Sequence, residues 1–97
     1  SFWQYKRFIG FSSFKKMKVF YDPKFKKNLN EFPEFIQKKA DKQIAYLSSN
    51  LLHPSLRAKK YKESEGIWQA RVDNNVRFYF KIEGNTYILI NIKYHPK

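Results

Sequence analysis

Three runs of alternating apolar and polar residues fill positions 66–94, and they constrain the fold of this chain more than any other feature. The runs predict strands at 66–72, 76–82 and 86–94. The intervening turns, 73–75 and 83–85, contain the Asp, Asn and Gly residues that tight hairpins prefer. The sequence therefore predicts an antiparallel meander with one face covered by another layer of structure.

The period of two assigns each side chain of the meander to one face of the sheet. The residues predicted to face the core are Val76, Phe78, Phe80, Ile82, Ile88, Ile90 and Ile92. The residues predicted to face outward are Arg77, Tyr79, Lys81, Asn91, Lys93 and His95.

The segment before the meander predicts a strand and two helices. Residues 17–21 read as a short strand, and Asp22 followed by Pro23 is typical of a helix start. Pro33 begins a second helix over about 33–50, with apolar residues at intervals of three and four. The apolar positions are Phe32, Ile36, Ala40, Ile44, Leu47 and Leu51.

The predicted fold class is therefore α+β. We expect a small single domain with an N-terminal strand and a helical hairpin, followed by a three- to four-stranded, mainly antiparallel sheet whose optional strand lies near 57–60. The domain is expected to span 17–97. Residues 1–16 form a basic, aromatic extension, which either packs as an extra helix or joins a partner interface.

The charge of the chain points to an anionic partner. Twenty Lys and Arg against eight Asp and Glu give a formal net charge of +12, which favours nucleic acid, an acidic protein or an anionic membrane surface. The absence of cysteine excludes disulfides, thiolate chemistry and cysteine zinc sites. We expect a cytoplasmic protein without a membrane segment, metal site or small-molecule cofactor, because no apolar run is long enough and the two histidines lack a third ligand.

Three ordered segments carry a resemblance to a known family. They are HPSLRAKKY at 53–61, GIWQARV at 66–72 and VRFYF at 76–80. With the preceding strand and helices and the late histidine, they make residues 17–95 resemble the RelE/ParE superfamily of bacterial type II toxins. The resemblance implies the RelE-like microbial ribonuclease-type fold. RelE-, HigB- and YoeB-like members are mRNA endonucleases that act on the ribosome, whereas ParE-like members inhibit DNA gyrase.

In the endonuclease reading, the resemblance implies a metal-independent reaction whose catalytic residues are Lys59, Lys60, Arg77 and His95. The lysine pair activates the ribose hydroxyl, the arginine binds phosphate, and the histidine protonates the leaving oxygen, since histidine titrates near neutrality. Further RNA or phosphate contacts are predicted at Arg57, Lys62, Arg71, Tyr79 and Tyr94. Trp68 is expected to be buried, and His53 to shape its loop.

Two departures from the family pattern leave alternatives open. The glutamate base of YoeB-like members has no clear counterpart, because Glu63 and Glu65 lie in a loop that aligns poorly, and only Pro96 and Lys97 follow His95. The alternatives are a ParE-like gyrase inhibitor and a catalytically inactive relic that binds RNA or antitoxin. In each case the resemblance implies a cognate acidic antitoxin, and the nuclease reading adds the ribosome and mRNA as partners.

Overall fold

Seven regular elements follow one another in residues 17–95, which are the residues that the computed structural model describes; the predicted extension 1–16 lies outside them. A 3-10 turn, Glu63–Glu65, joins the second and third strands. The elements are β1 (Lys18–Tyr21), α1 (Pro23–Asn30), α2 (Glu34–Ser49), β2 (Lys59–Lys62), β3 (Ile67–Arg71), β4 (Val76–Glu83) and β5 (Thr86–Tyr94).

The strands form one five-stranded sheet in the order β1-β5-β4-β3-β2. The strand β1 pairs in parallel with β5, and the other neighbours are antiparallel, so the predicted meander is confirmed. The optional strand predicted near 57–60 exists as β2 and occupies the edge next to β3. The α+β fold class is confirmed, with the two helices and the sheet sharing one hydrophobic core.

The helices begin where the sequence predicts. Asp22 caps α1, because its Oδ1 accepts a hydrogen bond of 2.8 Å from the Lys24 amide and Pro23 supplies the first helical position. Pro33 precedes α2, whose apolar stripe is buried against the sheet. The stripe residues in the core are Ile36, Ala40, Ile44 and Leu47.

The last strand departs from the predicted alternation. Tyr79 lies opposite Asn91 whereas Phe80 lies opposite Leu89, so Ile90 is an extra residue that forms a β-bulge. Leu89 is consequently fully buried, and the prediction that Ile88 and Ile90 face the core is wrong.

Two further core predictions differ in outcome. Ile92, which follows the bulge, is buried as predicted. Ile82 was expected in the core but is 36% exposed, because it lies near the hairpin turn at the end of β4, beyond the reach of the main core cluster.

Alanine substitutions at adjacent positions of β5 test the bulged register. Leu89→Ala is expected to lower the free energy of unfolding by about 2–5 kcal/mol, because it empties a fully buried site. Ile88→Ala is the matched control and should cost about 1 kcal/mol, since this side chain is only partly buried. Urea denaturation followed by circular dichroism measures both, and equal losses would contradict the register.

Candidate functional site

A cleft of about 280 Å³ opens on the outer face of the sheet, the face that carries Arg77 rather than the buried Phe78. We call it the arginine cleft. Within residues 17–95, no acidic side chain lines it, so its walls are positively charged and suit an anion. The lining residues are Arg57, Lys59, Gln69, Arg71, Arg77 and His95.

Arg77 is held in place without being neutralised. Its Nη1 donates hydrogen bonds to the main-chain oxygens of Asp73 (2.6 Å) and Val76 (3.2 Å). Among the described residues, no carboxylate forms an ion pair with it. The guanidinium therefore keeps its full charge and its remaining N–H groups for a ligand.

Arg57 occupies a strained backbone position at the rim of the arginine cleft. Its φ of 46° makes it the one described residue other than glycine in the left-handed region, a conformation that costs on the order of 1 kcal/mol. The neighbouring Leu56 enforces this geometry, since its side chain is fully buried and its carbonyl accepts a 2.8 Å hydrogen bond from the Arg71 amide. Strain of this kind is concentrated at functional sites.

Arg71 lines the arginine cleft together with Arg57 and Arg77. Its Nε is buried and has no hydrogen-bond partner among the described residues. Partial desolvation lowers the pKa of Arg71, the positive charges of Arg57 and Arg77 lower it further, and Asp73 acts in the opposite direction. The three guanidiniums are therefore close enough to repel one another, and a bound anion would relieve that repulsion.

Gln43 connects two walls of the cleft, although it was not among the predicted site residues. Its buried amide nitrogen donates to the carbonyls of Ser55 (3.2 Å) and Arg71 (2.9 Å), while its oxygen accepts from the Ser55 hydroxyl. Gln43 thus ties α2 to the loop before Arg57 and to the end of β3. A polar residue inside the apolar stripe of a helix was the available signal.

His95 reaches the arginine cleft from the end of β5. Its amide donates a 2.7 Å hydrogen bond to the Asn75 carbonyl, which ties the chain end to the β3–β4 turn. The exposed imidazole lines the same cleft as Arg77. His53 shapes its own loop as predicted, because Nδ1 accepts from the Ser55 amide at 3.2 Å and the ring stacks on Tyr46.

Four predicted site residues lie outside the arginine cleft, and two of them, Lys60 and Tyr94, lie on the other face of the sheet. Lys60 pairs with Trp68 on the opposite face of β2, where its ammonium lies 6.0 Å from the indole centroid and 3.9 Å from a Glu63 carboxylate oxygen. Tyr94 packs on Phe32 with ring centroids 4.9 Å apart, on the helical side. The structure thus brings Lys59 to the cleft but separates it from Lys60 and Tyr94, since adjacent strand residues face opposite ways. Trp68 is partly buried against the core, in line with its predicted burial.

Lys62 and Tyr79 line a neighbouring cleft instead. Tyr79 shares the outer face with Arg77 as predicted, but its side chain is only 4% exposed, so it offers no open surface for a base. Burial raises the pKa of the Tyr79 hydroxyl, Tyr61 raises it further and Arg77 opposes the rise. The hydroxyl therefore remains neutral at physiological pH.

Solved structures with the same architecture are toxins of toxin–antitoxin systems. A YoeB/ParE toxin from Agrobacterium tumefaciens superposes with a TM-score of 0.70 at 15% identity, covering 82% of this chain and all of that one. The YoeB dimer from Staphylococcus aureus gives 0.70 at 17% identity over 84% and 99% of the two chains. The RelB–RelE complex from Methanococcus jannaschii gives 0.66 at 26% identity over 78% and 89%.

The chain therefore has the fold of the RelE/ParE superfamily of toxins, and the resemblance predicted from its sequence motifs is confirmed at the level of the fold. No protein-family model and no curated protein matches the sequence. Within residues 17–95, neither helix is long and apolar enough to cross a lipid bilayer.

Replacement of Gln43 by leucine tests its positioning role. Gln43→Leu introduces an apolar side chain of similar size but leaves the Ser55 and Arg71 carbonyls without their donor, so we expect a loss of about 1–3 kcal/mol in the free energy of unfolding. Lys42→Leu, at the adjacent exposed position of α2, should stay within about 0.5 kcal/mol of the parent. Thermal and urea denaturation measure both, and a neutral Gln43→Leu would show that these hydrogen bonds do not hold the loop.

Proposed function

We propose that this protein is the toxin of a type II toxin–antitoxin system and that it cleaves mRNA on the ribosome. The observation that carries the proposal is the convergence of three arginines, one lysine and one histidine on a cleft without acidic lining. Such a site binds a phosphodiester and stabilises the extra negative charge of a phosphorane. The similarity to the YoeB dimer and to the RelB–RelE antitoxin–toxin complex supports the same reading.

We infer roles for four members of the arginine cleft. Arg77, fixed by main-chain oxygens, holds the phosphate, and Arg71 adds a second guanidinium to the same charge. Lys59 lies next to these groups and acts on the ribose hydroxyl, while His95 at the rim delivers a proton to the departing oxygen. The reaction needs no metal ion in this scheme.

The composition of the cleft also favours dependence on the ribosome. Among the described residues, the acidic candidates for a base lie elsewhere: Glu63 pairs with Lys60, and Glu65 is exposed in the 3-10 turn. A site without a carboxylate base depends strongly on how the substrate is oriented. We infer that the ribosome supplies this orientation by holding the messenger in the arginine cleft.

The proposed partner that silences the toxin is an acidic antitoxin. The net charge of +12 makes an acidic chain the complementary partner and accelerates its encounter with the toxin. Related folds crystallise as YoeB–YefM and RelB–RelE complexes. An antitoxin that covers the arginine cleft would both neutralise the crowded guanidiniums and exclude RNA.

The adjacent lysines of β2 provide a matched test of the active face. Lys59→Ala is expected to slow cleavage of mRNA on programmed ribosomes by about 100-fold, because it removes a cation from the arginine cleft. Lys60→Ala removes the same charge from the opposite face and should leave the rate within about threefold. Primer extension in a translating extract measures both rates, and equal losses would assign the two lysines to ribosome binding only.

Substitution of Arg77 separates the nuclease from the gyrase reading. Arg77→Ala should abolish cuts within ribosome-occupied codons, since it removes the fixed phosphate ligand. A parallel supercoiling assay with DNA gyrase is expected to show no inhibition by the parent protein. Intact mRNA together with inhibited supercoiling would indicate a ParE-like gyrase inhibitor. No activity in either assay would favour the inactive relic.

The acid role of His95 has its own test. His95→Gln keeps a polar side chain but cannot donate a proton as an acid, so the cleavage rate should fall by about 100-fold while ribosome binding is retained. Single-turnover cleavage across a pH series provides the readout. A variant with the parent rate and pH profile would remove His95 from the mechanism.

A further inference from the structure

A second cleft of about 390 Å³ lies beside the arginine cleft on the outer face, and the proposed chemistry makes no use of it. We call it the tyrosine cleft. Its lining combines the apolar side chains of Ile67 and of Ile90 in the bulge with the rings of Tyr61 and Tyr79. A cleft with apolar and aromatic side chains in its lining suits a flat, partly apolar group.

The charges at the rim of the tyrosine cleft indicate a polyanionic ligand. The cations at the rim are Lys24, Lys62 and Lys93, and none of the ion pairs between described residues involves them. The carboxylate of Asp22 also lines the cleft and disfavours a phosphate there. The arrangement therefore places phosphates at the lysine rim and an uncharged ring inside.

The side chains of the tyrosine cleft match what an RNA base requires. Tyr61 is 46% exposed and presents a ring on which a base can stack, supported from behind by Tyr79 at a centroid distance of 4.9 Å. The Oδ1 of Asn91 accepts from Asn28 and from the Ile92 amide, while its amide nitrogen donates to no other described group. That nitrogen is available for an acceptor on the edge of a base.

The two clefts are neighbours on the outer face of the sheet. Arg77 and Tyr79 are two residues apart on the same face of β4, a separation of about 7 Å along a strand. Lys93 lies opposite Arg77 in the register, and its ammonium is 5.2 Å from the centroid of the Tyr79 ring. A single strand that leaves the arginine cleft therefore meets the lysine rim of the tyrosine cleft next.

We propose that the tyrosine cleft is a base-binding subsite for a nucleotide that flanks the cleaved phosphodiester, with Tyr61 as the stacking platform and Lys62 and Lys93 as phosphate contacts. The proposal rests on the proposed function, because it takes the RNA in the arginine cleft as its starting point. It gives a role to the bulge at Ile90, which turns Asn91 to the outer face beside Tyr79.

Binding of non-cleavable RNA by fluorescence anisotropy tests this subsite separately from the cleavage site. The ligands are a 2′-O-methyl dinucleotide that fills the arginine cleft alone and a longer 2′-O-methyl oligonucleotide that reaches both clefts. Tyr61→Leu is expected to weaken binding of the longer ligand by about tenfold and leave the dinucleotide unchanged, because base stacking on an aromatic ring is lost. Tyr61→Phe should restore the affinity.

Charge variants give an independent readout that does not depend on Tyr61. Lys62→Gln should lower the slope of log affinity against log salt by about one for the longer ligand. Lys60→Gln, on the same strand but the opposite face, is the matched control and should leave the slope unchanged. Unfolding curves that match the parent confirm that each variant is folded.

The outcomes separate the two proposals. Parent affinity in Tyr61→Leu together with weak binding in Arg77→Ala would overturn the tyrosine cleft subsite and leave the proposed function standing. Weak binding in Tyr61→Leu with parent affinity in Arg77→Ala would support the subsite and contradict the cleavage site. A third outcome is that RNA binding is unchanged in Tyr61→Leu and in Arg77→Ala, while an acidic peptide binds the parent and binds Tyr61→Leu more weakly. This outcome would overturn the RNA subsite in favour of a protein contact.

Discussion

The pairing of β4 with β5 supports both faces of the sheet, and the rest of the structure depends on it. On one face it buries Phe78, Phe80 and Leu89, which form the centre of the core beneath the helices. On the other face it sets Arg77 opposite Lys93. Because a shift of one residue exchanges the two faces of a strand, the bulge in β5 keeps the core and the outer face in register at the same time.

Holding several like charges together in the arginine cleft costs the fold electrostatic free energy. The ion pairs between described residues lie outside this cleft, so no carboxylate pairs with its guanidiniums, and Asp73 offsets the repulsion at Arg71 only in part. The surroundings hold the charges in place instead, through the main-chain contacts of Arg77, the buried anchor of Leu56 and the hydrogen bonds of Gln43. A loss of folding stability at such a site is typical of a surface that is preorganised to bind an anion.

Local patterns were sufficient to predict most elements of this fold. The Asp22 cap, the apolar stripe of α2 and the hairpin turns each depend on interactions within a few residues, and the structure confirms all three. The alternation failed in β5, because nothing in the run of Ile88, Leu89 and Ile90 distinguishes a bulge from a regular strand. A bulge is decided by the strand that pairs with it.

The residues of the candidate site likewise divide into those that local patterns or the resemblance predicted and those that they did not. Arg77 and His95 were predicted from a strand period and from the resemblance, and both lie in the arginine cleft. The lysine pair at 59–60 was predicted as a unit, although neighbouring strand residues face opposite ways once β2 pairs with β3. Gln43 escaped prediction, because its partners lie far along the chain.

The sequence by itself determined the order of helices and strands and the basic character of the molecule, because these follow from local periodicity and composition, while the candidate site residues came from the resemblance of its motifs to the RelE/ParE superfamily. Only the tertiary structure decided which cations converge, that β5 carries a bulge at Ile90, and that a second cleft adjoins the first. Those features depend on strand register and on contacts between distant segments, and a local pattern carries no information about either.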